Sequence, residues 1–246
     1  MRTLMDERYA PKPCQLLDWY LPEEDGFDTI LWFHGGGMEA GSRKDGDQLA
    51  RHAVQAGYAF VSAEYSMYPF ARYPEFVTDA AQAAAHVQKR LPGLGGSGRM
   101  IITGQSAGAY LTMLLCLNPA YLRNAGVDPE GIMAYVSDSA QQTVHYNVLR
   151  ERGMDSRLER IDGAAPLYYA GMNRLPGPLL ILCYEQDMPC RPEQNVLMYR
   201  SLLRFEPQAR VELVVLPGGH CAGSTQLDGD GQFPYMRELL KFVKKL

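Results

Sequence analysis

The sequence predicts an α/β fold, with a mostly parallel central sheet and helices on both faces. Three observations predict it. Short apolar runs alternate with segments of helical spacing along nearly the whole chain, as βα units require. Several of those runs, such as Thr29-Ile-Leu-Trp-Phe33, are continuously apolar and do not alternate, which suits strands covered on both faces. Glycine-rich segments follow the runs directly, where ligand loops gather at the carboxyl ends of parallel strands.

Taken in order, Gln15–Leu21 reads as an early edge strand closed by Pro22, and Thr29–Phe33 as a buried strand ending in His34-Gly35-Gly36-Gly37. Gln48–Gly57 has helical spacing with a glycine stop, Tyr58–Ala63 returns to strand, and Pro74–Leu91 is a long Ala-rich helix stopped by Pro92 and Gly93. Met100–Leu117 is a strand, a sharp turn and an amphipathic helix. Gly131–Ser137, Pro178–Tyr184 and Val211–Leu216 are further strands, with helices at Glu193–Phe205 and Phe233–Leu246. No repeat or low-complexity tract interrupts this order, so a single domain over residues 1–246 is expected. Residues 139–177 are the least regular part, and as an insertion on the ligand side they are expected to form a small lid or a pocket wall.

The turn inside Met100–Leu117 carries the chemistry. Gly104-Gln-Ser-Ala-Gly108 fits the G-x-S-x-G nucleophile elbow, in which small residues let the backbone turn tightly enough to expose a serine Oγ at the strand tip. Ser106 is therefore the candidate nucleophile. A serine hydroxyl needs a histidine base held in the right tautomer by a carboxylate. Asp187 directly follows the Pro178–Tyr184 strand and His220 directly follows the last strand on a glycine-rich loop, so the order Ser106, Asp187, His220 is that of the elbow architecture. Glu185 is the nearest substitute acid. The competing readings are a helix N-cap for Ser106, a turn-forming aspartate before Pro189, and an ordinary loop histidine. The fourth requirement is a set of N–H donors for the oxyanion. Gly36, Gly37 and Ala107 are assigned to it, with His34 and Gly35 as support for the loop.

These motifs together resemble the α/β-hydrolase serine esterases, in particular the compact acetyl-esterase and hormone-sensitive-lipase-like branch. The resemblance rests on His34–Gly37, Gly104–Gly108, the Asp187 turn with Pro192-Glu-Gln194, and Leu216-Pro-Gly-Gly-His220, and it covers most of the chain. It implies the α/β-hydrolase fold and ester hydrolysis through an acyl-enzyme with no metal and no organic cofactor. Two departures matter. About thirty residues precede His34, where many members carry a helical cap, so no large cap domain and a lightly covered site are expected, as in feruloyl and acetyl-xylan esterases and arylformamidases. Ser66 stands where many relatives have arginine, which removes a local ion-pairing partner.

Composition narrows the partners. A net charge of −4 with scattered basic residues argues against nucleic acid, and no apolar run of membrane-spanning length is present. Charges near Met1 interrupt what a secretory signal would need, and five cysteines without regular spacing read as free thiols, both pointing to the cytoplasm. Cys190 and Cys221 follow the acid and the base closely and could approach each other, and His220 with Cys221 lacks any metal-ligand spacing. Met38, Tyr65, Tyr68, Tyr146, Tyr168, Tyr169 and Met188 lie on loops expected to face the site, and Met38, Tyr65, Tyr146, Tyr168 and Met188 are the substrate-binding candidates. The expected activity is hydrolysis of small acetyl or aryl esters, including esters on carbohydrates, by a monomer or homodimer. The alternatives are an arylformamidase-type amide hydrolase and a catalytically silent binding protein of the same fold.

Overall fold

The computed structural model describes residues 1–246. Its strands are β1 (Arg2–Arg8), β2 (Leu16–Leu21), β3 (Phe27–Phe33), β4 (Ala59–Ala63), β5 (Gly96–Gln105), β6 (Ala134–Asp138), β7 (Leu179–Gln186) and β8 (Val211–Gly219). They form one sheet in the order β1-β2-β4-β3-β5-β6-β7-β8. The β1–β2 and β2–β4 pairs are antiparallel and every other pair is parallel. The helices are α1 (Asp47–Gln55), α2 (Glu75–Arg90), α3 (Ala107–Leu117), α4 (Ala120–Asn124), α5 (Tyr146–Glu151), α6 (Arg191–Phe205), α7 (Ala222–Thr225) and α8 (Pro234–Val243).

Each central strand feeds two cores because successive side chains point to opposite faces. Leu31, Phe33, Ile102, Leu179 and Ile181 pack with α2, α3 and α6 on one face. Ile30, Trp32, Ile101, Leu180 and Leu182 pack with α1 and α8 on the other. This double coverage explains the uninterrupted apolar runs in the sequence. Beneath the elbow, the Thr103 hydroxyl lies 2.8 Å from the Val136 carbonyl and 2.7 Å from the Tyr235 hydroxyl, joining β5, β6 and α8.

Two expectations need correction. The Gln15–Leu21 segment is not an edge strand, since β1 pairs outside it. The sequence Arg-Thr-Leu-Met-Asp-Glu-Arg is mostly polar, and its apolar Leu4 and Met5 fall on opposite, largely exposed faces, so it carries no period-2 signal, and a bulge near Asp6 (φ +59°) breaks it further. The helix after the elbow is not amphipathic either. All its residues are buried, with the sheet on one side, α2 and α4 alongside, and the Pro166–Tyr169 turn across it.

Residues 139–177 wrap back over the ligand edge of the sheet. The Tyr110 hydroxyl of α3 donates to the Ala164 carbonyl, and His145 packs at 5.2 Å on the Tyr110 ring. Burial first, and then the Arg191 and Arg150 charges, push His145 well below its ordinary value. Its Nδ1 accepts the Asn147 N–H at 3.2 Å and so caps α5 as a neutral ring. No helix is long and apolar enough to cross a membrane.

Leu114→Ala in α3, where the side chain is fully buried, is expected to cost about 2 to 5 kcal/mol in urea unfolding. Leu197→Ala on the exposed side of α6 should change stability by about 0.5 kcal/mol or less. Equal losses would contradict the packing described.

Candidate active site

Ser106 sits between β5 and α3 with φ +53° and ψ −108°, a conformation that costs a non-glycine residue about 1 to 3 kcal/mol. The neighbouring glycines make it attainable. A Cβ on Gly108 would lie 2.0 Å from the Phe33 carbonyl oxygen, and one on Gly104 would lie 2.3 Å from the Gly108 carbonyl carbon. Both contacts demand glycine, because backbone cannot retreat as a flexible side chain can. The Ser106 N–H is satisfied by the Asp138 carbonyl at 2.7 Å.

The structure brings Ser106, His220 and Asp187 into one hydrogen-bonded line. Ser106 Oγ is 2.8 Å from His220 Nε2, and His220 Nδ1 is 2.5 Å from Asp187 Oδ1. His220 leaves the end of β8 and Asp187 the end of β7, and these neighbouring strands run parallel. Since the Asp187 carboxylate can only accept, it orients His220 with Nδ1–H inward and Nε2 free to accept from Ser106. Burial works to raise the Asp187 carboxyl. Hydrogen bonds from His220 and Ser139, the His220 charge and the Met188 N–H outweigh it, leaving the group below its ordinary value. Glu185 is exposed and takes no part in this line.

The glycine loop after β3 lies directly against the elbow, since a Cβ on Gly35 would stand 3.4 Å from the Ser106 Cβ. Gly36 (φ +96°) and Gly37 (φ +65°) turn the chain here, and neither N–H donates to a backbone acceptor. Ala107 opens α3, where first-turn N–H groups have no partner within the helix. His34 is fully buried beneath the loop, with Nδ1 2.7 Å from the Gly35 carbonyl and Nε2 2.6 Å from Glu64 Oε1. From the other side, Asn147 donates to the Gly37 carbonyl at 2.5 Å.

The substrate-binding candidates divide. Tyr146 is half-buried with its hydroxyl against Gly37, so close that a Cβ there would meet it at 1.7 Å. Met188 is 40% exposed beside Asp187. Tyr65 and Met38, however, have no exposed surface to offer a substrate. Tyr65 stacks on the His34 ring at 4.4 Å and donates its hydroxyl to the His34 carbonyl at 2.9 Å, so it is part of the loop's support. Tyr168 is exposed and packs edge-on against Tyr169, with no hydrogen bond or ring contact to the Ser106–His220–Asp187 line. All five cysteines are free thiols, including Cys190 and Cys221.

Several residues at the site were not read from the sequence. Ser139, in a left-handed conformation just past β6, donates its hydroxyl to Asp187 Oδ2. Arg191 is buried and donates to the Ser139 carbonyl at 2.6 Å. Glu64 links His34 to the Arg43 N–H at 3.2 Å. Asp138 ends the apolar strand β6 and Ser139 directly follows it, as Asp187 follows β7, and that position was the available signal. The cleft running from Ser106 and His220 past Gln105, Gln48, Lys44 and Thr225 has a volume of about 570 Å³, and its lining residues are mostly polar or charged.

Because the folded Asp187 carboxyl titrates below its unfolded value of about 3.9, its stabilisation is present above that pH and lost as the pH falls through the folded value. Ser139→Ala removes one of the hydrogen bonds that lower it. Urea unfolding should show a loss of about 1.5 to 3 kcal/mol at pH 7. That loss should shrink towards pH 3, and a loss that stays constant with pH would count against the linkage.

A family profile described as BD-FAE matches residues 17–150, more than half of the chain. Kynurenine formamidase of Danio rerio is 29% identical over 116 residues, covering 46% of this chain and 39% of that protein. Carboxylesterase NlhH of Mycobacterium tuberculosis is 31% identical over 99 residues, covering 39% of this chain and 31% of that protein. The matches thus span less than half the length of these relatives. Among solved structures, Thermogutta terrifontis esterase 2 phosphoramylated by tabun superposes with a TM-score of 0.77 at 18% identity, over 97% of this chain and 93% of that one. The chain has the α/β-hydrolase fold and belongs to the BD-FAE family.

Proposed function

We propose that the protein is a serine carboxylesterase acting on small acyl esters through an acyl-enzyme. The observation that carries this reading is the Ser106–His220–Asp187 line, at 2.8 and 2.5 Å, beside the glycine loop. As Ser106 Oγ attacks the ester carbonyl, His220 Nε2 takes its proton, and Asp187 stabilises the imidazolium while remaining ionised. The carbonyl oxygen becomes an anion held by the N–H groups of Gly36, Gly37 and Ala107, the last at the positive end of α3. Collapse expels the alcohol, which receives the proton from His220. Water, deprotonated by His220, then attacks the acyl group and releases the acid.

The hydrogen-bonding side chains of Lys44, Asp45, Gln48 and Gln105 in the cleft beside the serine favour an alcohol portion rich in hydroxyl groups, which fits acetyl or aryl esters on carbohydrates. The local likeness to kynurenine formamidase supports a second reading, in which the same groups cleave an arylformamide. The completed hydrogen-bond line argues against a silent binding protein.

With p-nitrophenyl acetate and butyrate, Ser106→Ala and His220→Ala are expected to lower kcat by roughly 10⁴-fold or more. No turnover by the wild type, or equal turnover by Ser106→Ala, would defeat the esterase reading. Parallel rates on acetylated xylan fragments, methyl ferulate and N-formylkynurenine separate the substrate classes, and a preference for the formamide would select the second reading.

A further inference from the structure

At the last position of β6, Asp138 is fully buried and has no part in the reaction above. Its Oδ1 accepts the Tyr184 hydroxyl at 2.8 Å, and its Oδ2 accepts the Ser224 hydroxyl at 2.6 Å. Tyr184 belongs to β7, the strand that delivers Asp187, and its hydroxyl oxygen accepts the Gly223 N–H at 3.1 Å. Ser224 lies in α7, four residues after His220. The Asp138 carbonyl accepts the Ser106 N–H. One residue therefore joins the elbow, the strand of the acid and the loop of the base.

No Lys or Arg forms an ion pair with this carboxyl. The titratable groups that face it are His220 and Cys221 from the base loop, Asp187, Tyr184 and Cys183 from β7 and its end, and Tyr235 from α8. Among these, the imidazole is the one that can become a cation. We infer that Asp138 is a positioning residue, which clamps the His220 loop to β6 and β7 and whose negative charge stabilises the imidazolium formed when His220 takes the Ser106 proton. No bond to Asp138 is made or broken in that step. The inference rests on the esterase reading for its kinetic consequences and on geometry for the clamp.

Burial pushes the Asp138 carboxyl up to about 6, against the opposing pull of the Ser224 and Tyr184 hydroxyls and the His220 charge. The network accommodates both of its states. Ser224 has a second acceptor in the Cys221 carbonyl at 3.1 Å, so its hydroxyl can turn there while a protonated Asp138 donates to Ser224 Oγ.

Asp138→Asn keeps the shape, an acceptor for Tyr184 and a donor towards Ser224, and removes the charge. The expected result is a kcat roughly 3- to 30-fold lower with KM within about twofold, and an acid limb of kcat/KM displaced to lower pH by about half a unit or more. An acid limb superimposable on that of the wild type would overturn the inference, whatever the change in Tm. Infrared titration of the carboxyl needs no substrate. The wild type should show a band titrating near 6 that is missing in Asp138→Asn and moves upward in Ser224→Ala and His220→Gln. A band unmoved in both of the latter variants would overturn the coupling. Should Asp138→Asn fail to fold, Ser224→Ala decides by its kcat at unchanged KM and by its infrared midpoint. A wild type without esterase turnover would defeat the esterase reading, while the infrared arm still tests the coupling.

Discussion

The close approach of α3 to β3 and β5 is the constraint on which the site depends. Helix and strands meet backbone to backbone at Gly104 and Gly108, with no room for a Cβ on either. That contact lets Ser106 hold a positive φ, since the surrounding packing over-determines a conformation the residue would not adopt alone. It also fixes where α3 begins, and so where its unpaired first-turn N–H groups point. A fully buried helix behind the serine gives the elbow a rigid support, because a close-packed interior has two-sided contacts that leave little freedom to shift.

The loops at the carboxyl edge of the sheet are held mainly by polar cross-links. Buried polar groups must find partners, and here each partner lies on a different element. Ser139 and Arg191 form a chain from β6 through α6 that steadies Asp187. Glu64, at the end of β4, reaches across to His34 and Arg43 and so ties the glycine loop to the antiparallel side of the sheet. Asn147 brings residues 139–177 into the same system by donating its side-chain N–H to the Gly37 carbonyl. The segment therefore acts as a wall for the glycine loop at the point where Tyr146 meets Gly37.

Much of this was legible in the residue order, and the exceptions share a cause. Strands with both faces covered announce themselves as apolar runs, so β3, β4, β6, β7 and the buried part of β5 could be placed from pattern, as could the long helices. The polar edge strand β1 could not, because an edge open to water on both faces imposes no pattern on its side chains. Tyr65 illustrates the complementary error. An aromatic residue beside a ligand loop looks the same in sequence whether it faces a substrate or stacks on a buried histidine, and it does the latter.

The sequence by itself determined the kind of fold and the chain positions of Ser106, Asp187, His220 and the glycine loop, because strand periodicity and glycine placement are local constraints. The tertiary structure decided how those positions meet. The 2.8 and 2.5 Å contacts, the buried carboxylate at Asp138 and the cross-links from Ser139, Glu64 and Asn147 join residues far apart in the chain. Local propensity carries no information about such pairs. They form because parallel strands in register bring the same edge of every βα unit together, and because the polar groups buried there must satisfy one another.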